Sequence, residues 1–188
     1  LMLTAPPVSA AKKAPATWQD LTESASFRYG CPGAFVKLQQ PDAIAIGKLK
    51  VERLGSQWSI TGDTRTPGSL TIGVLGAIKD AGRDTKGNLK VFARWFKKQK
   101  VDLIVANGDI ALDEFDLEEV FLELAKLGYP VLVMAGNSES RTSFNRTAVE
   151  VARKHPTIIN GNWVRRLDWG TFSLWSVPGY HDKKFLYG

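Results

Sequence analysis

The chain holds 188 residues, 44% of them apolar and 23% charged. That balance excludes wholesale disorder, collagen and low-complexity filaments, and leaves room for one domain, with or without a short appendage, around a real core. A single cysteine, Cys31, can neither close an intrachain disulfide nor build a thiolate zinc site, and no apolar run approaches the roughly 20 residues of a membrane-spanning helix.

The net charge of +6 admits an acidic partner, but the densest basic cluster, Lys97-Lys98-Gln99-Lys100, reads as the solvated end of a helix, where cations offset the macrodipole. No basic stripe with interleaved aromatics occurs, so no nucleic-acid partner is expected.

Residues 1–30 stand apart. Leu1 to Ala16 is rich in Ala, Pro and Ser and follows neither a helical nor a strand period, so this segment is expected to be flexible or processed. Its small residues read as the tail of a secretory signal, which leans the location toward a bacterial periplasm or cell envelope; a linker or a cloning remnant accounts for them equally well. Residues 31–68 are expected to form an N-terminal β element. Ile44, Ile46, Leu49, Val51 and Leu54 recur nearly alternately, Gly55-Ser56 punctuates, and Trp58 and Ile60 resume, which is the pattern of a β-hairpin. Gly62-Asp63 and Thr66-Pro67-Gly68 supply turn chemistry and a boundary.

Residues 69–188 carry an α/β rhythm. Thr71 to Leu75 predicts a short buried strand, followed by a glycine- and charge-rich loop from Gly76 to Gly87. Leu89, Phe92, Ala93 and Phe96 fall on one face of a helix. Val101 to Ala106 predicts a second apolar strand ending at Asn107-Gly108-Asp109, and Leu117, Val120, Phe121 and Leu124 a second helix stopped by Gly128 and Pro130. Val131 to Ala135 predicts a third strand ending at Gly136-Asn137, Ser143 to Lys154 a third helix, and Ile158-Ile159 a fourth strand. Apolar strands without alternation, each followed by a helix, mean a parallel sheet covered on both faces. Beyond Asn160, Trp163 to Arg166 and Thr171 to Val177 flank Asp168-Trp169-Gly170 in a hairpin-like return, where the sheet is expected to become mixed. The fold class is thus α/β, with mostly parallel strands and flanking helices after a short N-terminal β-hairpin.

In open α/β sheets a ligand site lies beyond the carboxyl ends of the strands. Three such ends are legible: Gly76 to Asp80, Asn107-Gly108-Asp109 and Gly136-Asn137-Ser138-Glu139. Asp109 is a hard oxygen ligand able to bridge two divalent cations, and Asn137 offers an amide oxygen to a metal or a donor to a phosphate, so together they suggest half of a metal site. The Gly76 to Gly87 loop ends in Lys86-Gly87-Asn88 at an expected helix N-terminus, a place that can hold a phosphate without metal.

The stretches Val-Asp-Leu-Ile-Val-Ala-Asn-Gly-Asp-Ile and Tyr-Pro-Val-Leu-Val-Met-Ala-Gly-Asn-Ser-Glu-Ser resemble the calcineurin-like metallophosphoesterases. Their signature runs Asp-x-His, then Gly-Asp, then Gly-Asn-His-Asp/Glu, each at a strand end. The likeness covers Leu70 to Gly188 and implies a β-sandwich flanked by helices, a site of two divalent metals (Mn, Fe, Zn or Mg) and a phosphate-ester ligand. Asp109 matches the bridging aspartate and Asn137 the asparagine ligand of the second metal, which would make them the catalytic pair.

Elsewhere the chain departs from that signature. Gly76 and Ile78 stand where Asp and His belong, Asp80 lies near enough to be a displaced ligand or a solvated loop residue, and Ser138 replaces a histidine that serves the transition state or leaving group. No Gly-His-x-His occurs. His181 is the remaining metal-ligand candidate, weighed against a surface-loop histidine, while His155 beside Pro156 reads as surface.

Only the first half of the family's sandwich is visible in the pattern. The domain therefore reads as incomplete at its C-terminus, and a further segment or a partner chain is expected to cover its apolar sheet face. Two functions follow: a two-metal hydrolase of phosphate esters, or an inactive pseudoenzyme serving as a binding or envelope-associated module. With only two ligands matched, a weakly held metal would not lower the pKa of its water, and the second reading is mechanistically better supported.

Overall fold

The computed structural model describes residues 41–111 and 113–177; the expectations for residues 1–30, Cys31 and His181 lie outside them. In chain order the elements are β1 (Asp42–Ile46), β2 (Leu49–Leu54), β3 (Gln57–Thr61), β4 (Ile72–Leu75), α1 (Arg83–Lys98), β5 (Leu103–Asn107), α2 (Glu114–Ala125), β6 (Val131–Met134), α3 (Arg141–Lys154), β7 (Ile158–Asn160), β8 (Arg166–Trp169) and β9 (Phe172–Trp175).

Strands β4 to β7 form a parallel sheet in the order β4-β5-β6-β7, and the remaining five form a second sheet in the order β1-β2-β3-β8-β9. The apolar runs of β5, β6 and β7 send successive side chains into two cores. Ile104, Ala106, Val131, Val133 and Ile158 pack under the helices with Leu89 and Phe96 of α1, Leu117, Val120, Phe121 and Leu124 of α2, and Phe144, Ala148 and Val151 of α3. Leu103, Leu132 and Ile159 face the other way, onto Val51, Trp58, Ile60, Leu167 and Trp169 of the second sheet, with Trp163 and Val164 between. Burial on both faces is why these strands show no alternation, whereas β2, with Val51 buried between exposed Lys50 and Glu52, keeps the period of a strand with one wet face.

Three expectations change here. The period-two region is a three-stranded antiparallel meander rather than a hairpin. Its last strand then pairs in parallel with β8 (Trp58 with Leu167, Ile60 with Trp169), so sheet pairing crosses the expected boundary at residues 62–68. The β8–β9 return does not make the parallel sheet mixed; it extends the second sheet, and Asp168 and Trp169 are strand residues, with the turn at Gly170, whose φ of 58° suits a tight hairpin loop.

The apolar face expected to need a further segment or a partner is covered over β5 to β7 by this second sheet, since the same side chains satisfy both faces of the sandwich. Among the described residues, that face stays open at the edge strand β4, with Ile72 38% and Val74 63% exposed. Helices thus cover one face of the parallel sheet and a sheet covers the other. No helix among the described residues is long and apolar enough to cross a membrane.

Candidate functional site at the strand ends

The loops after β4, β5 and β6 leave the parallel sheet side by side, because their strands are neighbours in register (Leu75 with Ala106, Asn107 with Met134). Short backbone bonds join them: Ala77 N–H donates to Gly108 O at 3.2 Å, Lys79 N–H to Asp109 O at 3.1 Å, and Gly108 N–H to Met134 O at 3.1 Å. Ala77, Lys79 and Asp109 all have left-handed φ values, 51°, 75° and 53°. Non-glycine residues adopt this region only where surrounding contacts over-determine it, and such positions cluster at functional sites.

At the centre of this rim lies Asp109. Lys79 Nζ donates to its Oδ2 at 2.5 Å and Ser138 Oγ to its Oδ1 at 3.1 Å, while Lys79 Nζ also reaches Ser138 Oγ at 3.3 Å. Beneath them the buried Glu139 carboxylate accepts from Ala111 N–H at 3.0 Å and Gly136 N–H at 2.7 Å, fastening the β5 and β6 loops together. Deeper still, the buried Asn145 Oδ1 accepts from the side-chain amides of Asn160 and Asn162, at 3.1 and 3.3 Å. Asn145 and Thr147 are therefore interior residues of α3.

Of the site residues expected from sequence, Asp109 and Asn137 do stand on adjacent loops of one rim, two and three residues past β5 and β6. Asp80 turns elsewhere. Its Oδ1 accepts from Gly82 N–H and Thr85 Oγ, both at 2.7 Å, which organises the start of α1 and holds its carboxyl below the usual aspartate range. The reason is local: an aspartate two residues ahead of a free amide closes a turn on its own.

Lys86 and Asn88 are also misplaced by the sequence reading. Helix α1 begins at Arg83 rather than after Gly87, so Lys86, which is partly buried, and Asn88, which is exposed, both lie within the helix rather than at its start. Lys86 instead pairs with Glu119 of α2 at 2.9 Å. The expected metal-free phosphate cradle at Lys86-Gly87-Asn88 is thus not a helix N-terminus. What sequence reasoning missed is Lys79, one residue past the position of the missing histidine, whose only signal was a cation in a strand-end loop opposite an acid.

The Lys79 ammonium, followed by the Ser138 hydroxyl, holds the Asp109 carboxyl below its usual range. A carboxyl depressed in the folded state contributes stability that is complete above its unfolded pKa, about 3.9, and is lost as pH falls through the folded value. The stability difference between the parent chain and Asp109→Asn, followed by urea unfolding, is therefore expected to be flat from pH 7 to about 5 and to shrink below about pH 4.

Among the described residues, the donors at this rim do not fit a pair of divalent ions. Gly76 and Ile78 bring no side-chain ligand, Ser138 brings a neutral hydroxyl, Asp80 is committed to its turn, and an ammonium already sits on Asp109. Among the described residues no three His, Cys, Asp or Glu side chains are grouped as a metal site.

The family model described as calcineurin-like phosphoesterase matches residues 60–187. No curated protein and no solved structure matches the chain.

Proposed function

The chain belongs to the calcineurin-like phosphoesterase family, and on that premise we propose that it is a non-hydrolytic member, a module that binds phosphate esters at the strand-end rim without cleaving them. The observation that carries this reading is the donor set of the β4 loop. A two-metal hydrolase needs ligands that fix both ions and generate hydroxide between them, and Gly76 and Ile78 supply neither carboxylate nor imidazole. Ser138 compounds the loss, since a hydroxyl does not exchange protons near neutral pH as an imidazole does.

What the rim retains suits recognition. The Lys79 side chain is 41% exposed and keeps donor capacity beyond its bond to Asp109, and the Asn137 amide stands on the adjoining loop. The hydrolase reading draws support from one observation, the adjacency of the Asp109 and Asn137 loops.

The test is metal content together with hydrolysis of bis(p-nitrophenyl) phosphate and p-nitrophenyl phosphate in millimolar Mn²⁺. The expected result is substoichiometric metal and no turnover above buffer, while a phosphate monoester shifts the amide resonances of residues 76–82, 108–111 and 136–140. Turnover that requires Mn²⁺ and disappears in Asp109→Asn would overturn the proposal in favour of the hydrolase.

A further inference from the structure

We infer that Lys79 is a built-in cation, holding Asp109 in the place of a divalent ion and opposing metal entry at the rim; the inference rests on the reading of this site as non-hydrolytic. A metal bridging such a rim does two things at once: it neutralises the aspartate and it ties together loops from separate strands. Lys79 does both. Its ammonium lies 2.5 Å from Asp109 Oδ2, and its 3.3 Å contact with Ser138 Oγ brings the β6 loop into the same cluster. The second carboxylate oxygen is taken by Ser138 Oγ at 3.1 Å, so both oxygens already have a protein donor.

Nor is the lysine a side chain that drifted onto a nearby acid. The β4 loop is curled against the β5 loop by the bonds from Ala77 to Gly108 O and from Lys79 to Asp109 O, and it holds Lys79 at a φ of 75°. Backbone strain and two cross-loop bonds together deliver this Cα to this carboxylate. A compact ammonium with three donors is suited to such a position, and a divalent ion on the same oxygen would meet a like charge at contact distance.

The consequence is that restoring the missing ligands is insufficient while the lysine remains. Mn²⁺ affinity is to be measured by calorimetry on the 188-residue chain, on Gly76→Asp/Ile78→His, and on that pair combined with Lys79→Met. The combined variant is expected to bind Mn²⁺ at least tenfold more tightly than the double variant. Equal affinity in the two, or no binding in either, would overturn the inference.

Should the combined variant fail to fold, the single Lys79→Met chain provides the test. Its Tm is expected to rise in Mn²⁺ while that of the parent chain stays unchanged, and equal responses sink the idea. The two proposals fail separately: metal-dependent turnover by the parent chain removes the non-hydrolytic reading, whereas a metal-free parent whose variants are indifferent to the lysine removes this inference alone.

Discussion

Gly136→Ala is expected to destabilise the chain by about 3 kcal/mol, at the upper end of the usual range for overpacking, and to break the rim apart. A Cβ at this position would lie 2.4 Å from both the backbone nitrogen and Oδ1 of Asp109. Rotating the aspartate relieves only one of these contacts, because the other is main chain. The β5 and β6 loops would therefore have to separate, at the expense of the Ala111 N–H bond to Glu139 and the Ser138 bond to Asp109. The glycine at the end of β6 is thus required for close backbone approach rather than for a left-handed φ. Gly87→Ala is the matching control. Gly87 lies inside α1 with nothing within 4 Å of an added Cβ, so the same change should stabilise by about 0.5–1 kcal/mol through helix propensity. Urea midpoints moving in opposite directions for the two alanines would locate the effect at the rim; a Gly136→Ala midpoint near that of the parent would refute the close approach.

How far the sequence led depended on whether a signal was local. The parallel sheet was legible because β5, β6 and β7 are apolar on both faces and each is punctuated by a glycine or a proline. Asp109 and Asn137 were legible for the same reason, since strand ends in a parallel sheet converge. The second sheet was half-read: period two in Ile44 to Ile60 predicts strands with one buried face, but nothing local says that Trp58 will lie beside Leu167, more than a hundred residues away. Pairing of that kind is decided by which apolar faces remain to be covered, and the N-terminal meander and the parallel sheet each had one.

The start of α1 was misplaced because Gly82 and Gly87 read alike in a sequence. They differ only in that Asp80 and Thr85 organise the first, while the second sits on a solvated face where its propensity cost is small. Lys79 escaped notice for a comparable reason: its role depends on a strained φ and on two cross-loop backbone bonds, neither of which leaves a compositional trace. The same strain is concentrated at the rim, which holds three non-glycine residues with a left-handed φ, whereas among the other described residues Lys100, in the turn from α1 to β5, is the one further case.

Glu139→Ala is the second substitution with a large expected effect, a loss of about 2–4 kcal/mol, because hydrogen bonds to a charged group are worth about 1.5–3 kcal/mol each and the abandoned Ala111 donor would stay buried. Glu139 is 3% exposed and Ala111 1% exposed, so water does not readily replace the carboxylate at the Ala111 amide. Its two oxygens divide between the loops, Oε1 to Ala111 and Oε2 to Gly136, so one side chain sets the spacing between the segment that carries Asp109 and the segment that carries Ser138. Glu139→Gln keeps one acceptor but turns an NH₂ group toward the other amide, and should cost about half as much. The diagnostic measurement is hydrogen exchange at the Ala111 and Gly136 amides, which should accelerate together in Glu139→Ala and singly in Glu139→Gln. Unchanged exchange at both amides would mean that the backbone contacts alone hold the rim, and that the acidic residue after Ser138 is a remnant of the family pattern with no present structural role.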